Sequence, residues 1–169
     1  MYLEQLATAV PKHVFTQKEL CGMYQKTAMP ALLSSRSREV VEQVLNGESG
    51  IDKRHFVTED VDSLFSQDAE SLNHLFEKEA PALAIESLDK ALDKAGWEAA
   101  SLDGLIVCTC TGYICPGITS YVAEKIGLRS NLFMLDLVGL GCGAAVPMMR
   151  SASGFLKAEP NARIATIAV

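Results

Sequence analysis

Three apolar runs, in LDGLIVCTC (residues 102–110), LFMLDLV (132–138) and ARIATIAV (162–169), constrain this chain more than any other feature. Each has the length of a strand; the uninterrupted apolar stretch within 102–110 suits a strand covered on both faces, and 132–138 reads as another buried strand. Between them, Ile118, Val122 and Ile126 recur at helical spacing in ITSYVAEKIG, and Ala144 to Leu156 reads as a buried helix. Strands alternating with helices predict an α/β fold: a mostly parallel sheet with helices on its faces. Such sheets place ligands where the carboxyl ends of strands give way to helices.

The amino-terminal part is less regular. YLEQLATAV is expected to form a first strand, which Pro11 ends, and Thr16-Gln-Lys-Glu19 has the spacing of a capping box. A helix over Ser37 to Leu45 would place Val40, Val41, Val44 and Leu45 on one face, with Asn46-Gly47 as its stop. Residues 46–70 are polar and poorly periodic, as in a long surface excursion. The clearest helix is Ala80 to Ala95, where Leu83, Ala84, Leu88, Ala91, Leu92 and Ala95 recur at helical spacing. Pro81 is expected in its first turn and Gly96 at its end. No internal repeat is visible, and the length of 169 residues predicts one domain, 1–169.

Composition narrows the function. With 15 Lys+Arg against 21 Asp+Glu, net charge −6, the chain lacks the basic surface expected of a partner for nucleic acid or an anionic membrane. It has neither a basic, apolar leader at its start nor a run long enough to span a bilayer, so a soluble, cytoplasmic protein is expected. The five cysteines, Cys21, Cys108, Cys110, Cys115 and Cys142, are odd in number and form no CxxC pair, which favours reduced thiols over disulfides or a metal site. Cys108 and Cys110 fall on one strand face, and metal binding there is not expected.

Cys142 is the residue of chemical interest. It follows the strand at 132–138, opens a helix, and is flanked by Gly141, Gly143, Ala144 and Ala145, which leave room for a ligand carbonyl to approach. The positive end of a helix favours a thiolate, the form that attacks. Burial as a small hydrophobe is the competing reading, and position and spacing by themselves leave both open.

Several ordered blocks now add a resemblance. LDLVGLGCGAAVPMMRSA, the upstream VCTCTGYICPGITSYVAEKIGLR, the downstream NARIATIAV, and LATAVPKHVFTQKEL and SGIDKRHFV nearer the start together resemble the amino-terminal half of a type III polyketide synthase. This is the chalcone synthase-like branch of the thiolase superfamily. The resemblance implies that Cys142 is the catalytic nucleophile and that Cys110, Thr111 and Cys115 line the substrate cavity, Cys115 falling where the family reaches into a partner subunit's cavity. It further implies a homodimer that takes acyl-CoA and malonyl-CoA as substrates, needs no metal or other cofactor, and joins them by decarboxylative Claisen condensation.

Two departures accompany the resemblance. Plant members of the family carry basic residues for the coenzyme A phosphates on the helix where this chain reads VVEQVLNGE, so the groups that would bind them are unassigned; Arg36, Arg38, Lys53 and Arg54 are nearby substitutes. The family's catalytic histidine and asparagine belong to a second half, and His13, His55 and His74 do not match that histidine. The chain is therefore expected to be a fragment or excised domain, inactive alone. The alternatives are a ketoacyl-carrier-protein synthase of the fatty-acid type and a non-catalytic interaction domain of the same fold.

Overall fold

A computed structural model describes residues 2–46 and 50–169. The chain divides into two compact units, one of residues 10–72 and one of residues 2–9 and 73–169.

The smaller unit begins with β1 (His13–Thr16), paired antiparallel to β2 (Lys53–Phe56) with His13 opposite Phe56 and Thr16 opposite Lys53. Thr16 also caps α1 (Gln17–Lys26). Its hydroxyl accepts from Glu19 N at 3.2 Å while its own N–H donates to Glu19 Oε2 at 2.7 Å, so the capping box forms as expected. That bond holds the Glu19 carboxyl below its ordinary pKa, because Thr16 donors favour the anion. The short α2 (Met29–Leu32) precedes α3 (Ser35–Leu45), which Ser34 caps by accepting from Ser37 N. α4 (Val61–Leu64) completes the unit.

The larger unit contains α5 (Ala69–Ala95, which starts within the smaller unit), β3 (Gly104–Thr109), α6 (Ile118–Ile126), β4 (Phe133–Val138), α7 (Ala145–Ala158) and β5 (Ile164–Ala168). The three strands form a parallel sheet in the order β4-β3-β5. Every residue of β3 is buried. Its side chains alternate between two cores, as the two-residue period of a strand requires. Leu105 and Val107 face a stripe on α5, Phe76, Ala80, Ala84, Leu88 and Leu92, together with Ile118 and Val122 of α6. Ile106 and Cys108 face Ala144 and, on α7, Met148 and Ala152.

Asp103 aligns the sheet at its amino end. Its carboxylate accepts from Arg163 N at 2.7 Å and pairs with Arg129, while its carbonyl accepts from Phe133 N at 3.0 Å. One residue thus touches the entries of all three strands, and their carboxyl ends come out in register.

Several expectations need correction. Residues 2–10 form no strand: their apolar side chains, Tyr2, Leu3, Leu6 and Val10, are exposed, and without a covered face or ladder partner an alternating pattern gains nothing as a strand. The first strand lies beyond Pro11, where Lys53–Phe56 supplies a partner. That partner and α4 both fall in the stretch read as a long surface excursion, and their four-residue lengths explain why periodicity misses them. α3 starts two residues earlier than expected, and Val40 and Val44 on its apolar face are exposed. Of its expected stop, Gly47 lies outside the described residues.

Pro81 is not in a first turn but deep inside α5, where it is buried. The helix runs eleven residues upstream of Ala80, because Phe76 and Ala80 continue the stripe that packs on β3, and packing outweighs the lost backbone bond. β4 and α7 are less covered than expected: β4 is half-buried with Met134 exposed, as befits an edge strand, and α7 buries only Met148 and Ala152. Gly96 and Gly127 do end α5 and α6, both with positive φ.

Leu105→Ala should destabilise the fold by about 2–5 kcal/mol, because it opens a cavity under a helix-covered strand, whereas Met134→Ala should change stability by roughly 0.5 kcal/mol or less. Urea unfolding measures both; equal losses would contradict the assignment of β3 as the doubly covered strand.

Candidate functional site

The carboxyl ends of β3 and β4 meet at a pair of cysteines. β3 and β4 stay in register up to Thr109 opposite Val138, and the chain then leaves the sheet on both sides. Cys110 follows immediately on one side. On the other, Gly139 and Gly141, with φ of 78° and 66°, turn the backbone through the left-handed region into a single 3₁₀ turn, Gly141–Ala144, that carries Cys142. A side chain at either glycine would be strained, so these residues are fixed by backbone geometry as well as by access. Gly143 has no positive φ, and the space beside it is open.

Cys110 and Cys142 are both exposed, with Sγ atoms 3.9 Å apart. Burial as a small hydrophobe describes Cys108 and Cys21, and it does not describe Cys142. The hydrogen bond to Cys142, followed by its charge, pushes the Cys110 thiol above its ordinary pKa. Cys108, next below on the strand, is raised chiefly by burial. The turn leads straight into α7, whose amino end has no side-chain cap; the Ala145 N–H donates to the Gly143 carbonyl of the turn, and the positive end of the helix dipole lies next to Cys142.

Thr111 and Cys115 lie on the exposed connection from β3 to α6. Thr111 N donates to Thr109 Oγ1 at 3.4 Å, and among the described residues neither Thr111 nor Cys115 hydrogen-bonds to Cys142. The peptide bond from Cys115 to Pro116 is cis. Of the sequence-predicted site residues, then, the structure brings Cys110 to Cys142. Arg36, Arg38, Lys53 and Arg54 belong to the smaller unit, where Arg54 donates through Nε to Gln17 at 3.0 Å. The histidines are engaged elsewhere: His13 with Glu59, His55 with the Pro11 carbonyl, and His74 with Glu77. Among the described residues no group of three or more His, Cys, Asp or Glu is arranged to hold a metal.

Sequence reading missed Asp136. From the middle of β4 its carboxylate accepts from Thr119 N at 3.1 Å and from the Thr119 hydroxyl, tying the first turn of α6 to the strand that leads to Cys142. Gly117 lies against that carboxylate so closely that a methyl group there would collide with it. A lone aspartate inside LFMLDLV was the available signal, since a carboxylate in an apolar strand needs donors.

Residues 10–169 match the FAE1/Type III polyketide synthase-like protein family. The chain belongs to that family. It is 27% identical over 158 residues to the 1,3,6,8-tetrahydroxynaphthalene synthase of Streptomyces griseus, covering 94% of this chain and 41% of the relative. It is 24% identical to the alpha-pyrone synthesis polyketide synthase-like Pks18 of Mycobacterium tuberculosis, over 99% of this chain and 43% of that protein. The crystal structure of the tetrahydroxynaphthalene synthase of Streptomyces coelicolor A3(2), a bacterial type III polyketide synthase, superposes with a TM-score of 0.82 at 26% identity, covering 97% of this chain and 46% of that one. A fungal type III polyketide synthase, ORAS, shares the fold at the same TM-score and 23% identity. The α/β architecture is therefore the thiolase-like one expected, and the chain spans less than half the length of these relatives, corresponding to their amino-terminal half. No helix among the described residues is long and apolar enough to cross a membrane.

The thiol pair gives this family member a measurable signature. Alkylation of Cys110 should rise with pH later than that of an unstructured thiol, because its reactive anion is disfavoured beside Cys142. In Cys142→Ala the midpoint should move down. Pulsed iodoacetamide labelling read by peptide mass spectrometry follows it; an unchanged midpoint would contradict the coupling.

Proposed function

We propose that this chain is the catalytic-cysteine half of a type III polyketide synthase, in which Cys142 accepts an acyl group from an acyl-CoA starter and presents it to malonyl-CoA for decarboxylative Claisen condensation. The observation that carries the reading is the placement of an exposed thiol in a glycine-framed turn at the carboxyl end of β4, just ahead of the uncapped amino end of α7. Membership of the family supports it.

In this reading the Cys142 sulfur attacks the thioester carbonyl, a carbon–sulfur bond forms as that to coenzyme A breaks, and coenzyme A leaves as its thiolate. The positive end of the α7 dipole suits the negative charge that builds on the attacked oxygen. Cys110, Thr111 and Cys115, on the connection that leaves β3, line the space in which the acyl chain grows, and Cys115 contributes to the cavity of a second subunit in a homodimer. The histidine and asparagine that assist the sulfur and hold the malonyl-derived enolate come from the carboxy-terminal half. By itself the chain lacks those donors and carries no synthase activity. The substrates are coenzyme A thioesters and no metal or further cofactor takes part. A cytoplasmic location fits this chemistry.

In a protein containing both halves, Cys142→Ala should lower condensation by on the order of a thousandfold or more, since loss of a nucleophile removes the covalent route. Consumption of malonyl-CoA with an acyl-CoA starter measures it. Retained condensation would overturn the assignment of Cys142, and preference for carrier-protein thioesters over coenzyme A thioesters would point instead to the fatty-acid type of synthase.

A further inference from the structure

We propose that Cys110 and Cys142 form a reversible disulfide under peroxide, a modification site that closes the candidate nucleophile off from thioesters and shields it from irreversible oxidation. The bond itself follows from geometry; only its effect on activity rests on the proposed role of Cys142.

The two sulfurs are already in contact at 3.9 Å. Disulfide bonding needs about 2.0 Å between them, a closure within reach of side-chain rotation combined with a small shift of the turn. The turn is anchored at its far end by Ala144, buried against Ile106 and Cys108, and is open on the side of its glycines. A methyl group placed on Gly139, Gly141 or Gly143 would find no atom within 4 Å beyond its chain neighbours, so the segment around Cys142 is free of packing on three of its residues. The opposite side is fixed: Cys110 leaves β3, the buried central strand, directly after Thr109, whose partner in β4 is Val138. Adjacent strands thus hand the two cysteines to the same place.

The other thiols do not compete. Cys108, two residues before Cys110, is buried in the core under α7, out of reach of an oxidant in solution. Cys21 is buried in the smaller unit beside Asn46. Cys115 is exposed, but it lies beyond Tyr113 on the far part of the connection to α6 and makes no sulfur contact among the described residues.

The chemistry balances with a hydroperoxide as oxidant. The Cys142 sulfur attacks one peroxide oxygen; the O–O bond breaks, an S–O bond forms, and water leaves from hydrogen peroxide, giving a sulfenic acid. The Cys110 sulfur then attacks that sulfur, forming the S–S bond as the S–O bond breaks, and a second water leaves with the Cys110 proton. Two electrons pass from the sulfur pair to the peroxide. The hydrogen bond to Cys142 and its charge push the Cys110 thiol above its ordinary pKa, which disfavours Cys110 as the first sulfur to meet peroxide; once Cys142 is a neutral sulfenic acid that charge is gone, and the Cys110 thiolate is the form that attacks it.

To test this, the reduced chain is treated with hydrogen peroxide in small molar excess, blocked with iodoacetamide, digested and mapped by mass spectrometry without reductant. The expected major product joins the Cys110 and Cys142 peptides within one chain, lighter by two hydrogens than their sum, and dithiothreitol restores both thiols. In Cys110→Ser, Cys142 should instead be trapped by dimedone as sulfenic acid and proceed several-fold faster to a sulfinic acid that dithiothreitol does not reverse. Equal sulfinic acid formation in the two proteins, or linkage of Cys142 to Cys108, to Cys115 or to another copy of the chain, would overturn the proposal. A disulfide in a protein whose Cys142 never takes an acyl group would leave this inference standing and remove the catalytic reading; acyl loading without a disulfide would do the reverse.

Discussion

The burial of β3 on both faces is the constraint on which the larger unit depends. Leu105 and Val107 point one way into the α5 stripe, and Ile106 and Cys108 point the other way toward Ala144, Met148 and Ala152. A strand so covered cannot slip by one residue without exchanging its two cores, so its register is firmly specified. β4 and β5 take their positions from it, with Gly104 opposite both Phe133 and Ile164. Asp103, immediately before the strand, reinforces the same alignment through Arg163 and Arg129.

That alignment explains why chemistry collects at the other end of the sheet. Once the amino ends of parallel strands are level, their carboxyl ends release Cys110 and the Gly139–Ala144 segment side by side, and a 3.9 Å sulfur contact follows from topology. Asp136 adds a second tie, holding the start of α6, and with it the end of the connection bearing Thr111 and Cys115, to the strand that leads to Cys142. The candidate site therefore rests on elements fixed by packing, although its reactive residues are exposed.

Legibility followed packing closely. Where burial is two-sided and continuous, as in Leu105–Cys108, or repeats every fourth residue, as in α5, the sequence pattern and the structure agree. Thr16 and Glu19 were legible because a capping box is a local bond between two residues at fixed spacing. The failures are of another kind. The strand Lys53–Phe56 exists only because His13–Thr16 pairs with it, and Pro81 is tolerated only because α5 is held by contacts far along the chain. Val40 and Val44 carry the pattern of a buried face without the cover. At the site, the position of Cys142 between a strand and a helix was legible from local pattern, but its exposure, the proximity of Cys110, 32 residues away, and the partnership of Asp136 with Thr119 depend on strand order, which no local pattern encodes.

The proposed function assigns the acyl group to one thiol of the five, the one at the β4–α7 junction. The most direct measurement is peptide mapping after brief incubation with a short-chain acyl-CoA in a protein containing both halves, quenched in acid so that thioesters survive. The acyl mass is predicted on the Cys142 peptide first, ahead of any label on Cys110 or Cys115. Acylation that begins on Cys110 or Cys115, or that spreads evenly over the exposed thiols, would contradict it.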